Sequence, residues 1–461
     1  MTEKIIFLSI DRIHHQDLEH VYGCSYALYP TPDLATLYNA AVLKKNGHQV
    51  SLFRLSGKND IKKIPKATIY FIHSVILSEK YDLLLAKILQ KRKVFFFGPN
   101  PTLAPQRYLK NKNHFVLRGE TEHIIGKAVL DPWKCQGVSY YKNKIVHNPT
   151  AGIIENLDEI PLPLRSVDQR DYFNPKLSFR KYTAVMASRG CPNRCYFCVP
   201  NSISWAREIE WKRNFKGKPP VCLRSAKNIV LELKSLKKDR YREFSFIDDQ
   251  FIFGKDRTLE ILEGIKELKY KFGLLARADR LLDREIVKAL ADAGCVYVDI
   301  GVESFDQEVL DDIKKDISLS IIFQAIENLS YFGIEPKLNI VFGLSPKENK
   351  EKIEKTIDKT LNLPVSSCMF SLATPYPGTK FAKIARQNKW VSSKKISPLK
   401  ESPISYPHLK AEKLNSLVKM ANRRFYLRPK IIWRQLQKIK SIGSLRKSSY
   451  FFFKLLKNLR W

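Results

Sequence analysis

The stretch that decides the fold is Ala187-Ser-Arg-Gly-Cys-Pro-Asn-Arg-Cys-Tyr-Phe-Cys198, which comes directly after a short apolar run. It places Cys191, Cys195 and Cys198 at the spacing CxxxCxxC in a loop that follows a predicted strand. Cysteine thiolates are the usual ligands of iron–sulfur clusters, and three of them leave one iron open to a further ligand. A zinc knuckle needs a fourth ligand close by, and the nearest other cysteine, Cys222, is distant in the sequence. The spacing therefore predicts a 4Fe–4S cluster with an open site.

Strands and helices alternate around and after this loop. The predicted strands are Thr183–Ser188, Glu243–Ile247, Phe272–Ala276, Val296–Gly301, Lys337–Phe342 and Ser367–Leu372. The clearest helices between them are Ala226–Lys237, Arg257–Tyr270, Asp283–Ala293 and Ser320–Phe332. Consecutive strand–helix units of this kind predict a parallel barrel, whose active site lies at the carboxyl ends of the strands.

The first part of the chain has the same alternation. Its predicted strands are Lys4–Ile10, Val50–Leu55, Thr68–Leu77, Lys93–Phe97 and, as the last major strand, Phe115–Arg118, with helices at Asp33–Asn46 and Tyr81–Gln90. A proline-containing linker, Asn156–Ser166, follows. We therefore predict an α/β protein. It has an N-terminal Rossmann-like open parallel sheet (1–150), a linker (151–178), a (β/α)6 partial TIM-type barrel (179–395) and a basic helical C-terminal tail (396–461).

The composition of the chain, above all its positive charge, indicates what kind of partner it binds. The 461 residues are 44% hydrophobic, which suits two or three buried cores. The 80 Lys and Arg against 46 Asp and Glu give a formal net charge of +34. This excess indicates a polyanionic partner, whether nucleic acid, an acidic membrane surface or an anionic substrate, or else solvated basic faces. The sequence shows no secretion signal and no long apolar run, so we expect a cytoplasmic protein with reduced cysteines.

The cysteine segment, with Phe197 just before the third cysteine, resembles the signature of the radical S-adenosylmethionine (SAM) superfamily. In that superfamily the open iron binds SAM, and reductive cleavage gives a 5′-deoxyadenosyl radical that abstracts a hydrogen atom. The resemblance continues along the strand ends and implies that SAM is bound by Phe197, Asp248, Asp249, Arg277, Gly301, Glu303, Ser304 and Asn339. Taken singly, Glu303 or Arg277 is equally well explained as a surface or salt-bridged residue. Tyr376 is a candidate substrate contact, and no general acid or base is expected.

The first 150 residues resemble the cobalamin-binding domain of the cobalamin-dependent branch of this superfamily. The matching stretches are Pro32–Ala35, Lys44–Val50, Gly98–Thr102 and Val116–Glu122. The resemblance implies bound cobalamin, with Ser74, Gly98 and Gly119 as contacts beyond the strand ends. The sequence has no DxHxxG loop, and His48 lacks its surroundings, so cobalamin is expected without histidine ligation. The alternative is a domain that has lost the cofactor and only caps the barrel.

The tail from about Pro407 is basic and helix-prone, and it ends in FFFKLLKNLRW at 451–461. A helical wheel places Phe452, Leu455, Leu456 and Leu459 opposite Lys454, Lys457 and Arg460, and a similar earlier stripe contains Ile432, Leu436 and Ile439. Basic amphipathic helices with aromatic residues suit an anionic bilayer surface. Packing of the apolar faces against the barrel is the alternative.

Together these features predict a radical SAM enzyme, of the transferase or cyclase type. We expect it to depend on cobalamin and to methylate, cyclise or rearrange an unactivated carbon of a lipid-like or secondary-metabolite substrate. The resemblance also implies an electron donor such as flavodoxin or ferredoxin. A location peripheral to the inner face of the membrane is expected from the tail.

Two other functions stay open. A tRNA-modifying radical SAM enzyme would explain the charge, but the tRNA methylthiotransferases carry a cysteine-rich N-terminal domain, and here the first 150 residues hold only Cys24 and Cys135. A non-enzymatic Fe–S electron-transfer protein would usually enclose its cluster with four cysteines.

Overall fold

The computed structural model describes residues 2–13, 16–24, 29–391 and 402–437. The chain forms two compact units. The first comprises Met1–Tyr172, Ala184–Pro192 and Pro200–Asn228, and the second comprises Phe173–Thr183, Asn193–Val199 and Ile229–Trp461. The chain passes from one unit to the other inside the cysteine segment.

The elements follow one another as strand and helix. Up to residue 150 they are β1 (Lys4–Ile10), β2 (Arg12–Ile13), β3 (Gln16–Asp17), α1 (Leu34–Lys45), β4 (Gln49–Leu55), β5 (Ile69–His73), α2 (Glu79–Ile88), β6 (Lys93–Phe97), α3 (Pro99–Leu103), β7 (His114–Leu117), α4 (Ile125–Leu130), β8 (Val138–Lys142) and β9 (Lys144–His147). Around the cysteine segment they are β10 (Tyr182–Val185), β11 (Ser188–Arg189), α5 (Ser202–Asn214), β12 (Cys222–Leu223) and α6 (Ala226–Lys238). The remainder are β13 (Glu243–Phe246), α7 (Lys255–Leu268), β14 (Lys271–Ala276), α8 (Arg284–Asp292), β15 (Cys295–Glu303), α9 (Gln307–Asp312), α10 (Leu319–Tyr331), β16 (Glu335–Phe342), α11 (Lys350–Asn362), β17 (Ser367–Leu372), α12 (Lys380–Gln387), α13 (Ala411–Tyr426) and α14 (Pro429–Gln437).

The first unit is built on a seven-stranded sheet in the order β4-β1-β5-β6-β7-β8-β9. Pairing is parallel from β4 to β7. Phe71 stacks on Phe7 and on Phe95 at ring-centroid distances of 5.2 and 4.9 Å, so one row of aromatic rings crosses neighbouring strands. The sequence places this row by its apolar runs, because β-strands bury alternate side chains on one face.

Two expectations for this sheet are wrong. Phe115–Arg118 is not its last strand, because β8 and β9 add an antiparallel hairpin at the edge. Asn143 turns that hairpin with a φ of 60°, a left-handed conformation that Asn tolerates better than most residues. The strand predicted at Thr68–Leu77 ends at His73, because Ser78 turns the chain by accepting the N–H of Val75 through its hydroxyl at 3.1 Å.

The second unit is built on a six-stranded sheet in the order β10-β13-β14-β15-β16-β17, and the pairs from β13 to β17 are all parallel. Helix α13 buries Leu414, Leu417 and Phe425, and the Phe425 ring lies 6.0 Å from that of Phe370 on β17. Helix α13 therefore packs on the sheet, whereas the two stripes predicted to be amphipathic lie further along the tail. The prediction of an α/β protein built on parallel sheets is confirmed.

The remainder of the predicted tail, including Ile439 and the stretch 451–461, lies outside the described residues. The side chain of Leu436 is also outside them. Among the helices that the structure describes, none combines the length and the apolar character needed to cross a membrane.

Candidate active site

The cysteine segment forms an irregular loop between β11 and α5. Cys191 and Cys195 are half-buried and Cys198 is exposed. Within the second unit, the backbone N–H of Cys198 donates to the carbonyl oxygen of Cys195 at 3.3 Å, which makes a tight turn between these two thiols. Thiols that are reachable from outside and held in a short loop suit cluster binding.

Tyr196, inside the same loop, is a residue that the sequence did not single out. Its hydroxyl donates to the carbonyl oxygen of Leu344, just after β16. Its own carbonyl accepts the N–H of Phe381 at 2.9 Å, and its ring meets the Phe381 ring edge-on at 5.6 Å. Tyr196 therefore anchors the cysteine loop to the carboxyl end of the second sheet. Its place between two cysteines is the only signal the sequence offered.

Strand β15 supplies the centre of the predicted SAM site. Its register with β16 pairs Asp299 with Lys337 and Gly301 with Asn339, and it shifts between Gly301 and Glu303. Beyond this irregularity, Glu303 has a φ of 66°, which is uncommon for a residue with a side chain. Strained backbone of this kind persists only where its surroundings hold it, and it occurs preferentially at functional sites.

Glu303 is held by Lys315, which the sequence reasoning missed. The Lys315 ammonium donates to Glu303 Oε1 at 2.8 Å, and both side chains are buried. Burial lowers the pKa of Lys315, but the negative charges of Glu303 and Cys195 raise it above its ordinary value. A Cβ on Gly301 would lie 2.6 Å from Glu303 Oε1 and 3.0 Å from the Lys315 nitrogen, so a side chain there would displace the ends of this pair. No local pattern revealed the pair, because its members come from different elements.

Arg277 follows β14 and is buried within hydrogen bonds. Its backbone N–H donates to Gln250 Oε1 at 3.0 Å, and its guanidinium donates to Asp279 Oδ1 at 3.0 Å and to the Asp316 carbonyl at 3.2 Å. Ser304 is also buried, and its hydroxyl oxygen accepts the N–H of Asp306 at 3.1 Å. Arg277 and Ser304 therefore follow strands, as predicted, and each is already hydrogen-bonded to other groups of the protein.

The other predicted residues of this site lie at the same strand ends or in the cysteine loop. Asp248 is buried, and the half-buried ones are Phe197, Asp249, Gly301, Asn339 and Tyr376. Half-buried groups at the carboxyl edge of a parallel sheet remain within reach of a ligand.

The residues predicted for cobalamin lie in the first unit and are all buried. The Ser74 hydroxyl donates to Asp82 Oδ2 at 2.6 Å and is 2.8 Å from the Tyr108 hydroxyl. A Cβ on Gly98 would lie 2.6 Å from the His73 ring, and one on Gly119 would lie 3.1 Å from the Glu210 Cβ. The packing of His73 and Glu210 against these positions thus already explains why both are glycine, without a bound cofactor.

A buried ion-pair network leads up to Cys191 within the first unit. Arg189 pairs with Glu120 at 2.7 Å and with Glu122 at 2.8 Å, and Arg207 pairs with Glu120 at 3.2 Å. These side chains are almost fully buried, and breaking one such pair leaves an uncompensated charge. The network fixes the backbone two residues before the first cysteine.

Comparison with known proteins shows which families and folds this chain is similar to. Residues 185–360 match the model of the Radical SAM superfamily. An uncharacterized methyltransferase of Pyrococcus horikoshii is 28% identical over 354 residues, which cover 73% of this chain and 72% of that protein. The hopanoid C-3 methylase of Methylococcus capsulatus is 29% identical over 237 residues, which cover 50% of this chain but only 42% of the methylase.

A solved structure with a similar fold is the radical SAM methyltransferase TsrM from Kitasatospora setae, with cobalamin and a 4Fe–4S cluster bound. The TM-score is 0.63 at 15% identity, covering 90% of this chain and 82% of that chain. The cofactors in that structure are two of the three predicted here. The prediction of a radical SAM enzyme is therefore confirmed: residues 185–360 match the Radical SAM superfamily, and the fold is similar to that of a radical SAM methyltransferase.

Proposed function

We propose that Cys191, Cys195 and Cys198 hold a 4Fe–4S cluster and that SAM binds its open iron beside the Glu303–Lys315 pair. When bound, the cluster supplies the electron that cleaves SAM to methionine and a 5′-deoxyadenosyl radical. The observation that carries the proposal is the position of Lys315. Its buried ammonium pairs with Glu303 and lies close enough to Cys195 for the thiolate charge to act on it. A nearby cation favours the thiolate form of cysteine, which is the form that binds metal.

The charged residues at the strand ends match the polar groups of SAM. The methionyl part of SAM carries an ammonium and a carboxylate, and this edge of the sheet offers carboxylates at Glu303, Asp248 and Asp249 and a guanidinium at Arg277. We assign these residues to orienting the two groups, with Ser304 and Asn339 as hydrogen-bonding partners. Gly301 lacks a side chain that would displace the Glu303–Lys315 pair. Phe197 lies in the cysteine loop, where its ring can cover the bound ligand.

The test is the formation of 5′-deoxyadenosine from SAM after anaerobic reconstitution and reduction with dithionite. We expect wild-type protein to form it. The rate with Cys195→Ala should be at least 100-fold lower, because the cluster supplies the electron that cleaves SAM. Cys135→Ala is the matched control, since Cys135 lies outside the motif. Wild-type protein that holds four irons and forms no 5′-deoxyadenosine would refute the proposal.

For the first unit we propose cobalamin as a second cofactor, supported by the likeness to TsrM. Ser74 fits this role only in part, because its hydroxyl already bonds to Asp82 and Tyr108. Gly98 and Gly119 follow β6 and β7, but they are buried against His73 and Glu210, so cobalamin binding would require these side chains to move. Protein reconstituted with hydroxocobalamin should keep corrin absorbance through gel filtration. Loss of all corrin on the column would favour the alternative of a domain that only caps the barrel.

For the reaction we propose transfer of a methyl group, or cyclisation, at an unactivated carbon of a lipid-like substrate. The similarity to the hopanoid C-3 methylase supports this class. The exposed apolar side chains of α14 also support it, because Ile432 is 39% and Trp433 63% exposed beside the basic Arg428 and Lys430. Such a surface suits an anionic bilayer.

Liposome flotation tests this part. We expect binding to anionic vesicles that decreases when residues 438–461 are removed and decreases further with Trp433→Ala. The deletion leaves α13 intact, which matters because α13 packs on β17. Leu427→Ala, also at an exposed apolar residue, is the control. Equal flotation of all variants, or none by wild-type protein, would refute membrane binding.

A further inference from the structure

Three buried side chains of the first unit meet near the carboxyl ends of β1 and β5, next to Ser74 and Gly98 and outside the cysteine motif. His20 follows β1 and β3, Asp33 caps the N-terminus of α1, and His73 is the last residue of β5. They are 5%, 4% and 4% exposed, respectively. Across the part of the chain that the structure describes, they form the one group whose ligand atoms all lie within 4.8 Å of one another.

Hydrogen bonds determine which nitrogen of each ring carries the proton. His73 Nδ1 lies 2.8 Å from Asp33 Oδ2, and an ionised carboxylate only accepts, so Nδ1 donates and Nε2 keeps its lone pair. His20 Nε2 lies 3.1 Å from the carbonyl oxygen of Ile10, so Nε2 donates and Nδ1 keeps its lone pair. These two lone-pair nitrogens are buried and make no hydrogen bond to any described residue.

This pattern is the one that metal-binding histidines show. A ligating imidazole usually donates its other N–H to a carboxylate or a backbone carbonyl, as His73 and His20 do here. The ring centroids are 6.1 Å apart, a span that one ion can bridge at Zn–N distances of about 2.0–2.1 Å. A Cβ on Gly98 would lie 2.9 Å from His73 Nε2, so glycine at this position keeps that nitrogen accessible.

Asp33 orients His73 and does not itself bind the ion. Its Oδ2 accepts hydrogen bonds from His73 Nδ1 and from the Thr36 hydroxyl, and its Oδ1 accepts the Thr36 N–H at 3.4 Å. An ion on His73 Nε2 lies on the other side of the ring from this carboxylate, so the two imidazole nitrogens are the protein ligands and water completes the coordination.

We propose that His20 Nδ1 and His73 Nε2 bind a divalent transition-metal ion, Zn²⁺ in the first place, with Asp33 orienting His73, at a site separate from the cysteine segment. The ion would tie the segment after β1 to α1 and β5. This site does not depend on the proposed radical chemistry, because none of its ligands belongs to the cysteine motif or to the strand ends of the second unit.

The experiment uses cluster-loaded protein, so that the motif cysteines are occupied by iron. After incubation with ZnSO₄ and desalting, zinc and iron are counted in the same sample by mass spectrometry. We expect about one zinc per chain in wild-type protein. His20→Gln and His73→Gln should each lose at least tenfold in zinc affinity with iron content unchanged. His48→Gln, which alters a histidine outside the group, should bind zinc as wild-type protein does.

X-ray absorption at the zinc edge of the wild-type protein gives a test that needs no variant to fold. Nitrogen and oxygen ligands with imidazole scattering are expected. Sulfur ligands, no retained zinc in wild-type protein, or zinc bound equally by wild-type and His20→Gln protein would each overturn the site. Formation of 5′-deoxyadenosine, measured on the same samples, tests the proposed function separately, because that reaction can fail while zinc binding stands.

Discussion

The carboxyl ends of the strands differ between the two sheets. In the first sheet, the polar side chains that follow β5 and β7 are buried and bonded within their own unit, as Ser74 is with Asp82 and Arg118 with Glu210. In the second sheet, Arg277 and Glu303 are likewise buried and bonded, but Asp249 and Asn339 are half-exposed at the same kind of position. A strand end therefore locates polar groups, but long-range partners decide whether a ligand can reach them.

Removing the buried Arg118–Glu210 ion pair that follows β7 should have the largest effect on stability. Arg118 donates to Glu210 and to the Asn148 carbonyl, and both charges are almost fully buried. Arg118→Met leaves Glu210 buried without its main partner, which costs about 3–5 kcal/mol. We expect the melting temperature to fall by on the order of 10 °C. Arg92→Met, at an exposed arginine, is the control. If Arg118→Met lowers the melting temperature no more than this control does, the ion pair does not stabilise this part of the first sheet.

Removing the buried Glu303–Lys315 pair of the second unit should have the second-largest effect on stability. It should also slow the cleavage of SAM. Lys315→Met leaves Glu303 buried and unpaired, which costs roughly 3 kcal/mol. We expect 5′-deoxyadenosine formation to fall at least tenfold and the KM for SAM to rise, with Lys315→Arg restoring part of both.

Lys314→Met, at the exposed neighbour, is the matched control for this pair. Normal kinetics in a destabilised Lys315→Met protein would contradict the proposal, because the pair would then serve only the fold.

The sequence predicted this architecture well where local patterns determine it. Apolar runs placed β1, β6 and β17 at their observed bounds, because a buried strand is recorded in consecutive residues. The hairpin β8–β9 was missed because its exposed edge lacks such a run.

The predicted site residues lie at strand ends, but their roles still await the experiments above. Lys315 and Tyr196 were not found. The partner of Lys315 is 12 positions away in another element, and the partner of Tyr196 is 148 positions away, so neither pair forms a local pattern. His20 and His73 were missed for the same reason. Their separation by 53 positions hides a contact that the parallel pairing of β1 and β5 creates.

A buried carboxyl at the end of β16 provides a pH-dependent test of the second sheet. Burial raises the pKa of Glu348 to about 8, although the Gly343 N–H that it accepts acts in the opposite direction. The folded protein then keeps a proton that the unfolded chain has released above its ordinary pKa of 4.5. Stability from this group is therefore present at low pH and is lost as pH rises from about 4.5 to about 8, by at most about 1.4 kcal/mol per pH unit.

Glu348→Gln should remove this part of the pH dependence. Thermal unfolding of wild-type and variant protein between pH 5 and pH 8, an interval of about 3 units, gives the comparison. Glu19, Asp82 and Glu243 also have raised pKa values and act in the same direction in both proteins, so only the difference between the two curves is informative. Parallel curves would mean that Glu348 is ionised in the folded protein.

The smallest effect should come from the single anchor of the cysteine loop. Tyr196→Phe removes one hydrogen bond to the Leu344 carbonyl and keeps the ring contact with Phe381, which costs about 1 kcal/mol. We expect an unchanged fold, faster loss of iron in air and a 5′-deoxyadenosine rate reduced about fivefold, in line with that energy. Tyr331→Phe, at a residue 70% exposed, is the control. If Tyr196→Phe retains iron as well as the control does, the hydrogen bond to Leu344 is not needed to hold the cysteine loop at the second sheet. Cluster stability would then depend on the cysteines alone.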